Sequence, residues 1–495
     1  MILSNYENNN YNSYKNKHSK MEEEKMIRTD KVTNPADNSV IGEVEILSHD
    51  EVSEIVDKAV AAQKVWAATP LNERGECLRK LADLLEAHDQ EIGEILAKDM
   101  GKPIGMGKAE CADAAFLLRA HVERANHLYD NVICDNAGTV DDLRFTKREA
   151  IGVVGCIIPY NYPIELTFQK LAPALIGGNA CVVKVPTRDP LAVMAVRPLI
   201  KEAGIPENVV QIFACDRDVI TSAVVKNPKV AGIAMTGSSP TGAKIAENAG
   251  STLKSLMLEL GGNDPLIIFK DVDPKKAAEE IAAGRWDCNG QICCGTKRII
   301  IAKSIKDAVI NELIEVLKTW KVGDPMDPDV VVSYLVNEDA AKKVEEQVNE
   351  TIAAGAKLVW GNGRTGARFE PVILDDVTDA MDIAHNMEVF GMVFPFIALD
   401  DEDEEKFEEE AVRIANDTIY GLSSGVMCQN MQTAFRVARQ IEAGGVVVNG
   451  HGCNRHYDQP FGGPKMTGLG REGVMCSIEE FTQVKTYIYN NAFGK

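Results

Sequence analysis

The chain has 495 residues, of which 45% are hydrophobic and 26% charged, a composition typical of a folded protein with more than one domain. Its 53 basic and 74 acidic residues give a formal net charge of −21, which argues against a nucleic-acid-binding protein because such proteins carry basic patches. Twelve cysteines are too few for a secreted disulfide scaffold. The sequence shows no signal-peptide pattern, and no apolar run approaches the roughly 18 residues of a membrane span. We therefore expect a cytoplasmic protein.

Three regions differ in pattern along the chain. Residues 1–27 are rich in Asn, Tyr, Lys and Glu and can bury little apolar surface, which predicts a disordered tail. Helical periodicity dominates from about 50 to 130. From 151 onward, short apolar strands such as "IGVVGCIIP" and "ACVVKVP" alternate with helices, and a second alternation follows after 262. The predicted fold class is therefore α/β, with two doubly wound domains.

Residues 288–298, "CNGQICCGTKR", hold Cys288, Cys293 and Cys294 in a glycine-flanked segment. Zinc ligands usually come in CxxC-type pairs, whereas the spacing here is CxxxxC and CC with no histidine nearby, so we expect no metal site. Adjacent cysteines rarely bridge each other, because disulfide geometry is demanding. By itself the segment leaves two interpretations open: three small buried core residues, or a reactive thiol.

Other polar or glycine-rich segments follow predicted strands. Glu259 in "LELGGNDP" can act as a general base, and Asn161 in "IIPYNYP" can donate to an oxyanion. The turn 235–242, "MTGSSPTG", opens a helix whose N–H groups can hold a phosphate, although it lacks the GxGxxG fingerprint. Lys184 ends the strand "ACVVKVP". Each has an ordinary explanation as a turn, cap or surface residue, but together they predict a ligand site at strand ends.

These motifs resemble the aldehyde dehydrogenase superfamily over nearly the whole chain. "GQIC" matches the family's Gly-Gln-x-Cys, "ELGG" its Glu-Leu-Gly-Gly, "PYNYP" its Pro-x-Asn-x-Pro and "EVFG" its Glu-x-Phe-Gly, and the late "QPFGGPKMTGLGREG" is also similar to the family. The resemblance implies Cys293 as nucleophile, Glu259 as general base and Asn161 as oxyanion donor. It also implies that Glu388 holds the nicotinamide-side ribose and that Phe390 lines the nicotinamide ring.

The same resemblance implies further site residues. Lys170 is expected as a fourth catalytic residue. The residues expected at the cofactor are Ile158, Pro159, Tyr160, Lys184, Thr187, Thr236, Gly237, Ser238, Gly242, Leu260, Glu388 and Phe390. The residues expected along the substrate channel are Tyr162, Leu166, Gln169, Ile292, Cys294 and Arg455.

The family also implies a three-part organisation. A Rossmann-like cofactor-binding domain would comprise 28–127 and 150–261, and a catalytic domain would comprise 262–475. A small β extension, 128–149 and 476–495, would serve oligomerisation. We expect a homodimer or homotetramer whose partner is a small-molecule aldehyde, without nucleic acid or membrane.

The family's chemistry implies that Cys293 attacks an aldehyde as thiolate to give a thiohemiacetal, that hydride passes to NAD(P), and that water hydrolyses the thioester with Glu259 as base. Relatives that release the acyl group to coenzyme A often lack this glutamate, so its presence favours a free acid. The alternatives are a CoA-acylating enzyme and a catalytically silent structural or binding relative. A cysteine hydrolase is disfavoured, because that class usually pairs its thiol with a histidine and none lies in these motifs.

The expected cofactor depends on Thr187. Three residues after the strand-end lysine, the family often has a glutamate, which would repel a 2′-phosphate. Here the segment "KVPT" places a neutral hydroxyl beside Lys184, which can bind such a phosphate. NADP is therefore favoured over NAD, the alternative being that Thr187 still leaves NAD binding adequate.

The substrate class is less closely defined by the sequence. Succinate-semialdehyde relatives often carry arginine where this chain has Gln169. Non-phosphorylating glyceraldehyde-3-phosphate dehydrogenases, which share "APALIGGN" and "VPT", carry arginine where it has Ile292. However, "GHGCNRHYDQ" places Arg455 where many relatives have aromatic residues. A polar or semialdehyde acid is one interpretation, and a surface role for Arg455 is the other.

Overall fold

The structure is a computed structural model that describes residues 28–128, 131–132 and 142–492. The tail predicted to be disordered, 1–27, lies outside the described residues, as do parts of the predicted β extension. Within the described ranges, no helix is both long and apolar enough to cross a membrane.

The secondary structure comprises strands and helices that alternate through most of the chain. The strands are β1 Thr29–Thr33, β2 Val40–Leu47, β3 Asn131–Val132, β4 Leu143–Ala150, β5 Val153–Ile157, β6 Ala180–Lys184, β7 Val210–Cys215, β8 Val230–Thr236, β9 Ser255–Glu259, β10 Asp264–Ile268, β11 Thr296–Ala302, β12 Lys357–Trp360, β13 Arg364–Thr365, β14 Arg368–Phe369, β15 Val372–Asp375, β16 Val393–Leu399, β17 Ser423–Met427, β18 Gly445–Val448, β19 Gly468–Leu469 and β20 Thr482–Tyr489. The α-helices are α1 His49–Ala68, α2 Leu71–Ala87, α3 Asp89–Asp99, α4 Ile104–Glu123, α5 Pro163–Ile176, α6 Leu191–Ala195, α7 Arg197–Glu202, α8 Arg217–Ile220, α9 Ser239–Gly250, α10 Pro274–Ala283, α11 Lys303–Lys318, α12 Glu338–Ala353, α13 Glu404–Asn416, α14 Met431–Ala438 and α15 Val474–Glu480.

The first sheet has eight strands in the order β1-β2-β7-β6-β5-β8-β9-β19. Its six central strands are parallel, and only β1 and β19 at the edges are antiparallel to their neighbours. Helices α2, α4 and α5 pack on one face, and α1 and α9 on the other. Because both faces are covered, strands such as β6 are continuously buried apolar runs rather than alternating ones.

The second sheet has seven strands in the order β12-β15-β16-β11-β10-β17-β18. All of its neighbouring strands are parallel except the pair β12 and β15. Helices α10 and α11 cover one face, and α12, α13 and α14 the other. Two parallel sheets, each sandwiched by helices, confirm the predicted doubly wound α/β fold.

A third, small sheet is formed by β20, β4 and β3, which are antiparallel. The long pair runs from Thr482 opposite Ala150 to Tyr489 opposite Leu143. These strands fall within the predicted β extension, or, for the last residue of β4, directly beside it.

The path of the chain brings the edges of the two large sheets together. Strand β9 ends at Glu259 and β10 begins at Asp264, so the chain passes directly from the carboxyl edge of the first sheet to the amino edge of the second. The loops after β5, β6 and β8 share that carboxyl edge with Glu259. In the first sheet, strand order reverses between β5 and β8, which is where ligands bind in such folds.

Candidate active site

A cleft of about 480 Å³ lies where the two sheet edges meet. Gly242, Lys170 and the six residues predicted for the substrate channel do not line it. The predicted catalytic and cofactor residues that do line it are Ile158, Pro159, Tyr160, Asn161, Lys184, Thr187, Thr236, Gly237, Ser238, Glu259, Leu260, Cys293, Glu388 and Phe390.

The turn before Cys293 has an unusual backbone. Cys288 (φ 50°), Asn289 (φ 54°) and Gly290 (φ 78°) all occupy the left-handed region, which costs about 1–3 kcal/mol for each non-glycine residue. The Asn289 side chain helps to hold this conformation, because it donates to Ser333 Oγ at 3.2 Å and accepts from the Ser333 N–H at 2.9 Å. A Cβ on Gly290 would lie 2.4 Å from a neighbouring backbone carbonyl carbon, so this position requires glycine.

The Cys293 thiol is half-buried at one end of the cleft. A hydrogen bond with Cys294, together with burial, raises the pKa of the Cys293 thiol well above its usual value, while the charges of Lys297 and Arg455 act in the opposite direction. The Lys297 ammonium also donates to the Cys293 carbonyl oxygen. Because the thiol is protonated at neutral pH, a base must take its proton for attack.

Glu259 lies at the same end of the cleft and is only 3% exposed. Burial, followed by the proximity of Cys293 and Glu472, raises the pKa of the Glu259 carboxyl well above its usual value, and Lys170 opposes this rise. Glu259 Oε1 has no hydrogen-bond partner of ordinary length among the described residues. A carboxylate with a raised pKa and an unoccupied oxygen is suited to accept a proton from a thiol or a water.

Lys170 extends from α5 into the protein behind the cleft. Its buried ammonium donates to Thr236 Oγ1 at 2.7 Å and to Glu472 Oε1 at 2.9 Å. These bonds join α5 to the end of β8 and to the late segment "GLGREG". The lysine charge also partly balances the two buried carboxyl groups, Glu259 and Glu472.

The buried amide of Asn161 faces the turn that carries the nucleophile. Asn161 Nδ2 donates to the carbonyl oxygen of Gln291 at 2.9 Å, two residues before Cys293. An amide NH₂ has two hydrogens, and Asn161 lines the cleft, so a second N–H remains available for an oxyanion formed next to Cys293.

Lys184 and Thr187 line the cleft at the end of β6. The Lys184 ammonium donates to Thr187 Oγ1 at 2.9 Å. Burial lowers the pKa of Lys184, and the nearby charge of Arg217 lowers it further. An ammonium and a hydroxyl this close can bind one phosphate group together.

Glu388 is fixed in the cleft by its neighbours. Its Oε1 accepts from the Gly262 N–H at 3.0 Å and lies 3.6 Å from the Lys297 ammonium. A Cβ on Gly261 would lie 2.5 Å from Glu388 Oε2, so glycine leaves room for this carboxylate. An oriented carboxylate of this kind can accept hydrogen bonds from ribose hydroxyls.

The turn 235–242 leads into α9, whose first N–H groups have no partner within the helix. Ser238 and Gly237 line the cleft there, whereas Gly242 faces Leu260: a Cβ on Gly242 would lie 2.5 Å from the Leu260 side chain. Gly242 therefore lets α9 pack closely. A dinucleotide fits three features of the cleft: the N-terminus of α9, which can hold a phosphate, the pair Lys184 and Thr187, and the carboxylate of Glu388.

The opposite wall of the cleft was not anticipated from the sequence. It includes Ala340, Lys343, Val344 and Gln347 of α12, and Gln347 Nε2 donates to the Glu388 carbonyl oxygen at 3.1 Å. These residues lie on an ordinary amphipathic helix without a motif, so no sequence signal separates them from other surface helices.

Three of the predicted substrate residues lie together next to the nucleophile. Ile292 and Cys294 form an apolar cluster with Leu422, and Tyr162 and Phe461 pack against it. Leu166 and Gln169 are buried on α5, and Gln169 Oε1 has no hydrogen-bond partner among the described residues.

Arg455 extends over this cluster. Its guanidinium carbon lies 3.8 Å from the centroid of the Phe461 ring, and its Nη2 lies 3.8 Å from Glu165 Oε1. Burial raises the pKa of Glu165 to about 7, although Arg455 opposes this rise. Glu165 was not predicted from the sequence, because a single glutamate on a helix carries no signal of its position. Among the described residues, the carboxylate that forms an ion pair with this arginine is therefore Glu165, at 3.8 Å.

Comparison with known proteins places these features in context. The family profile "Aldehyde dehydrogenase family" matches residues 21–487. The chain is 34% identical to a lactaldehyde dehydrogenase of Methanococcus aeolicus over 93% of this chain and 97% of that protein. It is 33% identical to a probable NADP(+) succinate-semialdehyde dehydrogenase of Sinorhizobium fredii over 92% and 91%. Among solved structures, it is similar to glyceraldehyde-3-phosphate dehydrogenase GapN of Methanocaldococcus jannaschii complexed with NADP, with a TM-score of 0.87, 34% identity, and coverage of 93% of this chain and 99% of that chain.

Proposed function

The chain belongs to the aldehyde dehydrogenase family and oxidises an aldehyde with NAD or NADP, and we propose that its substrate is a short aldehyde with an anionic tail, converted to the free acid with NADP as the preferred acceptor. The observation that carries the proposal is the arrangement of one cleft. It holds a half-buried thiol, the buried carboxyl of Glu259, and a lysine–threonine pair at the end of β6.

In the proposed mechanism, Cys293 forms a bond to the aldehyde carbon as its proton moves to Glu259. The proximity of Cys293 contributes to the raised pKa of Glu259, because a thiolate and a carboxylate side by side would repel each other, and transfer of the thiol proton to the carboxylate avoids that state. The Asn161 amide and the Cys293 backbone N–H donate to the oxyanion of the thiohemiacetal. A bound nicotinamide supplies the hydride acceptor, and the thioester that results remains on Cys293.

We propose that Glu259 first releases to solvent the proton it took from Cys293 and then accepts a proton from the water that attacks the thioester carbon, so that the C–S bond breaks and Cys293 leaves as thiolate. Lys170 is proposed to keep the buried carboxyl groups at this end of the site in place. The alternative is release of the acyl group to coenzyme A. The Glu259 carboxyl favours hydrolysis because its Oε1, which has no hydrogen-bond partner in the part of the chain that the structure describes, can accept a proton from water. Product analysis with and without coenzyme A separates the two: an acyl-CoA product would contradict the proposal.

The preference for NADP is supported by the contact between Lys184 and Thr187, because position 187 carries a neutral hydroxyl rather than a carboxylate. A relative from Sinorhizobium fredii is named for NADP(+), and a structure from Bacillus halodurans, 31% identical with a TM-score of 0.89, is complexed with NADP. Glu388 is proposed to hold the nicotinamide-side ribose, and Phe390 to line the ring.

The anionic tail is supported by Arg455, which is partly buried and lies 3.8 Å from the Glu165 carboxyl, whose pKa is about 7. An anion can therefore compete for the guanidinium. Relatives of this chain include a succinate-semialdehyde dehydrogenase and a 3-sulfolactaldehyde dehydrogenase, whose named substrates are anionic aldehydes. Ile292, Cys294 and Tyr162 are proposed to form the wall of the channel, with Leu166 and Gln169 behind it.

We also propose a homodimer or a dimer of dimers. Strand β18 is an edge strand of the second sheet, and β20 exposes Val484 and Ile488, 58% and 59% accessible. Exposed strand edges with apolar side chains are commonly covered by a second chain. The division into cofactor domain, catalytic domain and oligomerisation extension, and the cytoplasmic location, stay predictions.

The experiment that tests the function is an aldehyde panel run with NADP and with NAD. It should include succinate semialdehyde, lactaldehyde and neutral aliphatic aldehydes of equal chain length. We expect the highest kcat/KM with an anionic aldehyde and NADP. Equal kcat/KM for anionic and neutral aldehydes would contradict the substrate proposal, and no turnover together with no cofactor-induced shift in Tm would indicate a silent relative.

A further inference from the structure

A buried ion pair lies directly behind the Asn161 loop. Lys102, in the loop between α3 and α4, is 0% exposed, and Glu110 on α4 is 1% exposed. The Lys102 ammonium donates to Glu110 Oε1 and lies 4.1 Å from the centroid of the Tyr162 ring. Neither residue lines the cleft, and the proposed chemistry uses neither of them directly.

The pair holds both ends of segment 161–165. At one end, the Lys102 ammonium donates to the backbone carbonyl oxygen of Asn161 at 2.6 Å. At the other end, Glu110 Oε2 accepts from the N–H groups of Ile164 at 2.9 Å and Glu165 at 3.2 Å. One lysine and one glutamate therefore fix the start and the end of the five-residue segment that carries the proposed oxyanion donor.

The contacts at the end of the segment replace an ordinary helix cap. Helix α5 begins at Pro163, and its N-cap residue, Tyr162, makes no side-chain capping bond. The first N–H groups of a helix lack partners within it, and a carboxylate near them is favoured by the helix dipole. Glu110 supplies this cap from another helix, so the start of α5 is fixed relative to α4 rather than by its own sequence.

The contacts at the start of the segment connect it to the nucleophile. The Asn161 carbonyl oxygen also accepts from Cys288 Sγ at 3.3 Å, and the Asn161 amide donates to the carbonyl oxygen of Gln291, which directly follows the left-handed turn. The amide is thus held between the ion pair on one side and the turn before Cys293 on the other. Displacing the Asn161 carbonyl would move the amide away from the oxyanion.

Burying two charges is costly, and replacing such a pair with uncharged residues of similar volume is often neutral for stability, so stability alone does not account for it. We propose that Lys102 and Glu110 are positioning residues that aim the Asn161 amide at the oxyanion formed on Cys293. The inference rests on the proposed function, because it requires Asn161 to be the oxyanion donor. Displacements of about 1 Å in such groups can cost about 100-fold in rate.

The test is a double-mutant cycle. Two variants are compared with the wild type: Glu110→Gln and the double variant K102M/E110Q. Each should lower kcat for the best aldehyde about 10-fold to 100-fold. This loss is smaller than the roughly 10²- to 10³-fold loss expected when a whole oxyanion donor is removed. The Kd of NADPH, measured by fluorescence, should stay within about twofold, since the pair does not line the cleft. The uncharged pair also guards against misfolding, because it leaves no unpaired buried charge.

The decisive measurement repeats these changes in an Asn161→Ala background. If the ion pair acts through the Asn161 amide, Glu110→Gln should then lower kcat by no more than about twofold to threefold, because the donor it aims is already absent. A matched control is Asp375→Asn, which breaks the partly buried ion pair with Lys306 (2.5 Å); neither residue lines the cleft, so this change should lower Tm without lowering kcat.

Two results would overturn the inference. One is an equal loss of kcat from Glu110→Gln with and without Asn161, which would mean that the pair acts independently of the amide. The other is an unchanged kcat in K102M/E110Q. A wild-type chain that oxidises no aldehyde in the panel would instead overturn the proposed function, and the inference with it, so the two failures are distinguishable.

Discussion

Replacing Thr187 with glutamate should shift the cofactor preference from NADP toward NAD. The Lys184 ammonium and the Thr187 hydroxyl are 2.9 Å apart, so a 2′-phosphate bound to both would come within about 4 Å of a carboxylate at position 187. The new carboxylate would repel the phosphate and would also pair with Lys184, which removes a positive contact from the phosphate.

The size of the effect follows from the distance and the exposure. Two unit charges 4 Å apart interact by about 1 kcal/mol in bulk water and by about 4 kcal/mol at an effective dielectric constant of 20. Because the Thr187 side chain is exposed, we take a repulsion energy of about 2 kcal/mol, which lies near the lower of these two limits. An energy of this size corresponds to a change of about 30-fold in cofactor preference. The ratio of kcat/KM for NADP to kcat/KM for NAD should fall by about that factor.

The assay is steady-state oxidation of one aldehyde with each cofactor, compared with Thr187→Gln as a control of equal size without charge. Thr187→Gln should change the ratio much less than Thr187→Glu, and the effect of glutamate should shrink in high salt, which screens exposed charges. An unchanged cofactor ratio in Thr187→Glu, or an equal change in both variants, would refute the assignment of this position to phosphate discrimination.

Three further predictions follow from the same site and core. Cys293→Ser should abolish aldehyde oxidation whereas Cys294→Ser should retain substantial activity, and equal losses in a kcat comparison would contradict the choice of nucleophile. The KM for an anionic aldehyde should rise between pH 6 and pH 8, because the Glu165 carboxyl, with a pKa of about 7, becomes negative over this range and then competes with the substrate for Arg455. Glu165→Gln should give a KM independent of pH over this range, and a flat wild-type profile would argue against the anionic tail. Leu81→Ala, at a fully buried position, should lower the free energy of unfolding by about 2–5 kcal/mol, whereas Leu358→Ala, 47% exposed, should change it far less in a denaturant titration.

Much of the fold and the chemical centre could be predicted from the sequence, because their signals are local. Apolar runs such as "ACVVK" identify strands buried on both faces, and their alternation with helices specifies parallel sheets. The motifs that resemble the family predict Cys293 as the nucleophile among three neighbouring cysteines, with Glu259 and Asn161 as its partners, and all three line one cleft. Asn161 and Glu259 lie at the carboxyl ends of β5 and β9, which share one edge of a parallel sheet, so their proximity could be expected from the sequence.

The rest of the site depended on contacts between distant segments. Nothing in the sequence connects Lys102 and Glu110 to Asn161, 59 and 51 positions further along the chain, or Glu165 to Arg455, 290 positions further along. The wall that α12 contributes to the cleft likewise depends on the packing of the second sheet against the first.

The amino-acid sequence by itself thus determined the family and which groups are predicted to perform its chemistry, because reactive side chains and the turns that present them are encoded over a few residues. The tertiary structure decided how those groups are aimed and balanced, because hydrogen bonds and charge interactions depend on distance in space rather than separation along the chain. The pKa of Glu165, the orientation of the Asn161 amide and the partner of Arg455 are all properties of that packing.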